Sequence, residues 1–370
     1  MKYSRQNFWS LCRIPQSVVG LAAVVFSLLV MSMSARATEL RVYHIGNSVT
    51  DTLRYSALKA MVQANPDRGM VYQYGRHTIP GSPLEYIWNT PRGGSVEPSG
   101  QWYDVALPGS TWDVLTLQPF DRPLTNDMDY AQRFINLVRT LPANSNTQVY
   151  VYSRWPRRAR VAPGVSQWLP INYATAWSKT YNPSSTDINN LENQDYFEQL
   201  LAVLRTQNAG TGPEIRMIPV GDVLLEIDQR LRDGRIRGIT GNTLFTETPG
   251  VLDINILYPD GIHFGNLGQF IVGTTFYATL FKDNPTGLIV PNAYKLASDN
   301  PAFRSADFNF PGMILDPGLP SITDQTIADI QQAVWDVVRT HPYAGIPEPT
   351  VVASGLIPMY ALLRRRRFES

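Results

Sequence analysis

Two short segments, far apart in the chain, carry the residue types of nucleophilic catalysis. Ile45-Gly-Asn-Ser-Val-Thr-Asp51 places Ser48 directly after an apolar run, and Tyr258-Pro-Asp-Gly-Ile-His-Phe-Gly-Asn-Leu-Gly-Gln269 places Asp260 three residues before His263. A serine hydroxyl is a weak nucleophile until an imidazole accepts its proton, and a carboxylate that fixes the imidazole tautomer makes that transfer efficient. Asp260 and His263 share one short loop, so the carboxylate can reach the imidazole without a third segment. Ser48 stands between a strand and a helix, where backbone N–H groups are free and the helix dipole favours negative charge. That setting suits an oxyanion. Gly81 can add an unobstructed backbone N–H and Gln118 a side-chain N–H. Such donors are worth about 3–4 kcal/mol each in acyl transfer.

Each of these residues also has a structural reading. Ser48 can serve as a turn or cap residue, Asp260 as a turn residue before Gly261, and His263 as a helix cap. Gly81 can serve a turn, and Gln118 can satisfy a buried carbonyl. Their joint order, Ser, Gly, Gln, then Asp-x-x-His, is what favours catalysis. The chain has four histidines, and His44, His77 and His341 read as structural, with His77 also placed to line a cleft. Asp222 and Asp253 are weaker candidates for the carboxylate because the sequence ties neither to a histidine.

The elements that must position these residues follow from periodicity and turn signals. Leu40 to Ile45, Met70 to Tyr74, Trp112 to Leu117, Gln148 to Tyr152 and Glu214 to Val220 read as strands. Thr50 or Asp51 can cap a helix from about Thr52 to Gln63. Tyr130 to Thr140, Tyr196 to Thr206, Leu267 to Phe281 and Thr323 to Val338 carry apolar faces at helical spacing. Strands alternating with helices predict parallel βαβ units in a three-layer α/β domain. Ligands of such sheets sit at the carboxyl ends of the strands, where Ser48 and Gln118 both fall. Arg154 to Thr186 and Arg235 to Tyr258 are long irregular stretches, and loops of that length in a compact domain are often functional. Trp155, just past the fourth strand, and Asn47 are candidate substrate contacts. There is no P-loop, no dinucleotide fingerprint and no His/Cys/carboxylate cluster with zinc-like spacing.

These segments resemble the SGNH (GDSL-like) hydrolase superfamily. Gly46-Asn47-Ser48 matches its first block, with Asn where many members carry Asp; Gly81-Ser-Pro-Leu84 fits the second; Asp260-Gly-Ile-His263 matches the final D-x-x-H. The third block departs: members usually carry G-x-N-D, whereas Leu117-Gln-Pro-Phe-Asp121 stands here, with Gln118 in place of the asparagine. The resemblance spans roughly Leu40 to Phe281. It implies a flavodoxin-like α/β/α fold with a parallel sheet, ester hydrolysis, and no cofactor or required metal.

The two ends of the chain read differently from its middle. Lys2, Arg5 and Arg13 precede an apolar run from Val18 to Met31, and Ala35-Arg36-Ala37 then offers an A-x-A cleavage site. Residues 1–37 therefore read as a secretory signal, and a retained membrane anchor is the alternative. The apolar run is short against the roughly 20 residues of a spanning helix. The chain's one cysteine, Cys12, lies in this leader, so the expected mature protein has neither a disulfide nor a cysteine nucleophile. At the other end Ile346-Pro-Glu-Pro-Thr350 is followed by an apolar stretch from Val351 to Leu363 and then Arg364-Arg-Arg-Arg367. This order resembles the PEP-CTERM sorting signal of Gram-negative envelope proteins, with residues 346–370 as its tail. It implies export, an exosortase-type processing enzyme as a partner, and transient membrane contact through both termini. The remaining expected domain is 38–341.

A formal net charge of +1 on 370 residues gives no general attraction to nucleic acid or to a membrane surface. The expected protein is an exported serine esterase of the cell envelope or extracellular space. Its expected substrates are small-molecule or glycan esters, with short-chain groups, acetyl above all, as the acyl removed. A lipid esterase is the alternative within the enzyme class. A non-catalytic envelope or matrix protein binding through a hydrolase-like fold is the alternative outside it.

Overall fold

The computed structural model describes residues 38–159, 169, 171–191, 193–238, 261–295 and 323–346. The expected signal segment, residues 347–370 of the sorting tail, Asp253 and Asp260 lie outside the described residues.

One six-stranded sheet organises the chain. Its strands are β1 (Thr38–Gly46), β2 (Met70–Thr78), β3 (Ser95–Glu97), β4 (Val114–Leu117), β5 (Gln148–Ser153) and β6 (Arg216–Pro219), in the spatial order β3-β2-β1-β4-β5-β6. The pairs β1–β4, β4–β5 and β5–β6 are parallel, and β3 runs antiparallel on the edge beside β2. Without β3 the order is the 2-1-3-4-5 arrangement of flavodoxin-like sheets. The antiparallel β3 is the departure from the expected sheet: three residues are too few to give a period-2 signal. Val42 to Gly46 is buried throughout, as a central strand covered on both faces requires.

Helices cover both faces. On one lie α2 (Tyr55–Gln63), α8 (Val220–Arg232), α9 (Asn266–Phe281) and α11 (Asp324–Val338); α9 packs against the other three. On the other lie α3 (Leu84–Asn89), α5 (Leu124–Thr140) and α7 (Gln194–Gln207), with α5 between its neighbours. Short helical segments complete the set: α1 (Ser48–Asp51), α4 (Tyr103–Gly109), α6 (Tyr173–Trp177) and α10 (Asn292–Lys295). Among the described residues no helix is long and apolar enough to cross a membrane.

The crossover leaving β1 leads to β2 on one side, and the crossover leaving β4 leads to β5 on the other. The carboxyl ends of β1 and β4 therefore flank the topological switch point, where such sheets open a crevice. Ser48 and Gln118 stand at that point, each just past its strand.

The helix after β1 begins earlier than its expected start at Thr52. Asn47, not Thr50 or Asp51, is its cap: the Asn47 side chain accepts from the Val49 N–H at 2.9 Å. The helix then breaks at Arg54, which sits in the left-handed region at φ 50°, and restarts as α2. Helix α8 leaves β6 without a loop, so Val220 belongs to the helix rather than the strand. His77 lies in β2 itself, one residue before its end.

Candidate active site

Gly46 ends β1 where a side chain would not fit. An added Cβ would lie 2.0 Å from Thr50 Oγ1 and 2.9 Å from the Gln118 Cβ. This close approach lets the turn fold tightly over β4. Asn47 follows, and its side chain works in two directions. Its oxygen caps α1, while its Nδ2 donates to the Ser82 carbonyl at 3.0 Å. The Ile79 N–H donates to the Gly46 carbonyl at 3.1 Å. Those two ties bring the Ile79–Ser82 turn against the Ser48 turn. Pro80-Gly81 occupies the centre of that turn, with Gly81 at φ +67° and the Ser82 N–H closing on the Ile79 carbonyl at 3.1 Å. Proline followed by a left-handed glycine is the type II turn signature. No acceptor among the described residues takes up the N–H of Ser48 or of Gly81.

Asp51 anchors the far end of the same turn. Its carboxylate receives Arg76 Nη1 at 2.9 Å and the Tyr55 hydroxyl at 3.0 Å on one oxygen, and the Thr78 hydroxyl at 3.2 Å on the other. Asp51 and Arg76 are both buried. A buried ion pair of this kind is costly to break by removing one partner, by about 3–5 kcal/mol.

The central contact joins two residues 215 positions apart: His263 Nε2 lies 2.9 Å from Ser48 Oγ. Ser48 is 5% exposed and His263 6%, so both are enclosed but keep a little accessible surface. His263 stands three residues before α9, in a segment flanked by Gly261 and Gly265. Asp260 precedes the described segment by one residue. The geometry that is present lets an imidazole take the hydroxyl proton directly.

Gln118 is fully buried, and its amide is engaged. Its Oε1 accepts from the Thr50 hydroxyl at 3.1 Å and from the Asn47 N–H at a long 3.4 Å, and its Nε2 donates to the Pro119 carbonyl. These partners make it a brace behind the nucleophile turn, with one amide hydrogen left over.

Two expected substrate contacts are corrected. Asn47 is fully buried, its amide spent on Val49 and Ser82. Trp155 is also fully buried, its ring stacked on Phe264 with centroids 3.7 Å apart. Neither offers a surface to a ligand. The aromatic residues further along the same stretch pack inward too: Tyr173 donates to the Gly221 carbonyl at 2.9 Å, and Trp177 to Asp222 Oδ1 at 3.0 Å. Asp222 does meet a histidine, His341, at 3.4 Å, a pairing made by the fold rather than by sequence proximity.

The other histidines fill structural positions. His44 bridges neighbouring strands, with Nδ1 2.7 Å from the Thr116 hydroxyl and Nε2 2.7 Å from the Tyr72 hydroxyl. Burial, with Arg76 adding to it, pushes its pKa down to about 3 and keeps the ring neutral. His77 Nε2 pairs with the Gly93 carbonyl at 2.9 Å, and burial lowers its pKa as well. Among the described residues no three His, Cys, Asp or Glu side chains group so as to hold a metal ion.

No family model matches the chain, and no curated protein does. Among solved structures the chain is similar to a DUF4886 family protein from Bacteroides uniformis, at 16% identity and a TM-score of 0.47, over 82% of this chain and 95% of that one. It is also similar to a candidate SGNH hydrolase from Slackia heliotrinireducens, at 17% identity and a TM-score of 0.39, over 66% of this chain and 100% of that one. At these values neither likeness carries an argument about activity, and the functional reading rests on the chain's own geometry.

Proposed function

We propose that this protein is a serine esterase that removes short acyl groups. The observation that carries the reading is the 2.9 Å approach of His263 Nε2 to Ser48 Oγ at the switch point of the sheet. In the proposed reaction Ser48 Oγ attacks the ester carbonyl carbon while His263 takes the hydroxyl proton. The carbonyl oxygen becomes an oxyanion, received by the N–H groups of Ser48 and Gly81. Gln118 holds the turn that aims them, and its remaining amide hydrogen is the candidate third donor. His263 then gives its proton to the leaving alkoxide oxygen, which departs as an alcohol and leaves an acyl-serine. Water attacks that ester, delivers a proton to His263, and the acid leaves as Ser48 recovers its hydrogen. Asp260 is the proposed orienting carboxylate for His263.

The 5% and 6% exposure of Ser48 and His263 favours a small acyl group, with acetyl the first choice. Acetylated carbohydrate is the proposed substrate class, given the export and sorting segments read at the two ends. The proposed location is in or beyond the envelope of a Gram-negative bacterium, with an exosortase-type enzyme as the proposed processing partner.

The test is labelling of the purified protein with a fluorophosphonate, followed by turnover on a panel of short-chain aryl esters and acetylated glycans. Ser48→Ala and His263→Ala should each abolish labelling and nearly all turnover, and the double variant should be hardly worse than either single one, because losing either partner already stops proton transfer. A folded Ser48→Ala protein that hydrolyses esters at the wild-type rate would remove the nucleophile and the esterase reading with it.

A further inference from the structure

The imidazole that meets Ser48 sits on a backbone with freedom on both sides. Gly261 and Gly265 flank Ile262-His263-Phe264, and glycine leaves the chain more conformations than any other residue. Proton transfer needs the ring held to within about half an ångström. Contacts from outside this loop can fix its backbone, beside the orienting role proposed for Asp260.

The fold supplies those holds. The Gly261 carbonyl accepts from the Arg158 N–H at 2.8 Å. The Ile262 carbonyl accepts from Trp155 Nε1 at 2.9 Å. The Phe264 carbonyl accepts from Gln269 Nε2 at 2.9 Å, and the Phe264 ring lies on Trp155 with an interplanar angle of 19°. Backbone carbonyls before and after His263 are thus pinned. Trp155 grips both sides of the histidine, Ile262 through its N–H and Phe264 through its face. It stands two residues past β5, a strand of the sheet interior, and is itself fully buried. Its position is fixed by the core, and it passes that rigidity to the loop.

We infer that Trp155 is a positioning residue for His263: it touches no substrate and acts by holding the imidazole against Ser48. The inference rests on the proposed pairing of Ser48 with His263 as a catalytic unit. It replaces the expectation that Trp155 selects the substrate, and it gives the stretch after β5 a role in turnover.

Two variants separate the grips. Trp155→Phe keeps a ring against Phe264 and removes the hydrogen bond to Ile262; Phe264→Leu keeps that hydrogen bond and removes the stack. Each is purified as the full chain and read for melting temperature, kcat and KM on an aryl acetate, fluorophosphonate labelling rate, and the His263 ring resonances in 15N-histidine NMR, assigned against His263→Ala. The expected result is a fall of roughly tenfold to a hundredfold in kcat and labelling rate, with KM within about twofold of wild type. The His263 resonances should broaden or move, and those of His44 should stay. A substitution to Phe that lowers the melting temperature while leaving kcat, labelling and the His263 resonances unchanged would make Trp155 a packing residue and overturn the inference. A change confined to KM would overturn it in favour of substrate contact. If the wild-type protein is neither labelled nor active, the esterase reading fails, and the NMR comparison alone then decides whether Trp155 holds His263. Should one variant not fold, the other carries the same readouts.

Discussion

Replacing Asn47 tests whether the nucleophile turn is held by the ties described above. Asn47→Ala removes the cap on the Val49 N–H and the donor to the Ser82 carbonyl. Loss of the cap costs about 1 kcal/mol, and a buried carbonyl left without its donor costs about 1–3 kcal/mol. The expected loss is therefore about 2–4 kcal/mol, which for a domain of this size lowers the melting temperature by roughly 3–6 °C. Asn47→Asp separates the two contributions. Asp caps a helix as well as Asn does, but it sets a carboxylate oxygen where Nδ2 now faces the Ser82 oxygen. Enclosure and that facing oxygen both favour the protonated acid, so the variant should be least stable at pH 8 and recover as the pH falls and the introduced carboxyl gains a hydrogen to donate. The tie to Ser82 also sets Gly81 against Ser48, so kcat should fall in both variants beyond what partial unfolding explains. Thermal melts followed by circular dichroism at pH 5 and pH 8, beside ester turnover, give both numbers. An Asn47→Asp protein with wild-type melting at both pH values and wild-type kcat would show that the bond to Ser82 holds nothing, and the argument for a built turn would fail.

Asp127 predicts a pH dependence of stability. It is buried at the start of α5, bonded through one oxygen to the Tyr196 hydroxyl, with the other oxygen lacking a hydrogen-bond partner among the described residues. Burial, against the opposing pull of Tyr196, Arg154 and Arg122, raises its pKa to about 7. The folded state then holds a proton that the unfolded chain has already released above about pH 4, so stability from this group falls between about pH 4 and 7 and levels off above that, by at most about 4 kcal/mol. Asp127→Asn should be close to wild type at pH 4–5 and more stable at pH 8; a constant difference between the two proteins across that range, in melts at fixed ionic strength, would contradict the raised value. Deleting Val351 to Ser370 should leave the protein folded and active but mislocalised, because the last described segment is already fixed to β6 by the Met217 N–H on the Tyr343 carbonyl at 2.9 Å. Loss of cooperative unfolding on truncation would show that the tail belongs to the fold.

The parts of this site that could be read in the sequence are those whose signals are local. A strand running into Gly-Asn-Ser and a histidine just ahead of a helix announce themselves within a dozen residues, and the alternation of apolar runs with helical faces was enough to give the layers. What stayed hidden depends on partners far away in the chain. Nothing near Arg54 announces a left-handed residue, so one helix was expected where there are two. Trp155 after a strand reads equally as a ligand platform or a core ring until Phe264 is found lying on it. Gln118 offers an amide to any neighbour, and only the approach of Asn47 and Thr50 spends it. The extent of α5, which begins six residues before the periodic stretch at Tyr130, escaped because its first turn is polar.

The Gly46 to Asp51 turn explains why a serine here is set apart from an ordinary cap. Asn47 holds Ser82, Thr50 holds Gln118, and Asp51 holds Arg76, Thr78 and Tyr55, each through a buried side chain. Buried polar groups that are fully engaged specify a single arrangement, since any displacement leaves several of them unsatisfied at once. Ser48 differs from these neighbours in facing an imidazole instead of the frame of the turn. Had it been a capping residue, its hydroxyl would close on the N–H groups two and three residues ahead; those of Thr50 and Asp51 already donate to the Asn47 carbonyl, and the hydroxyl meets His263 instead. The turn thus relieves the serine of structural duty, which leaves its proton available to the histidine.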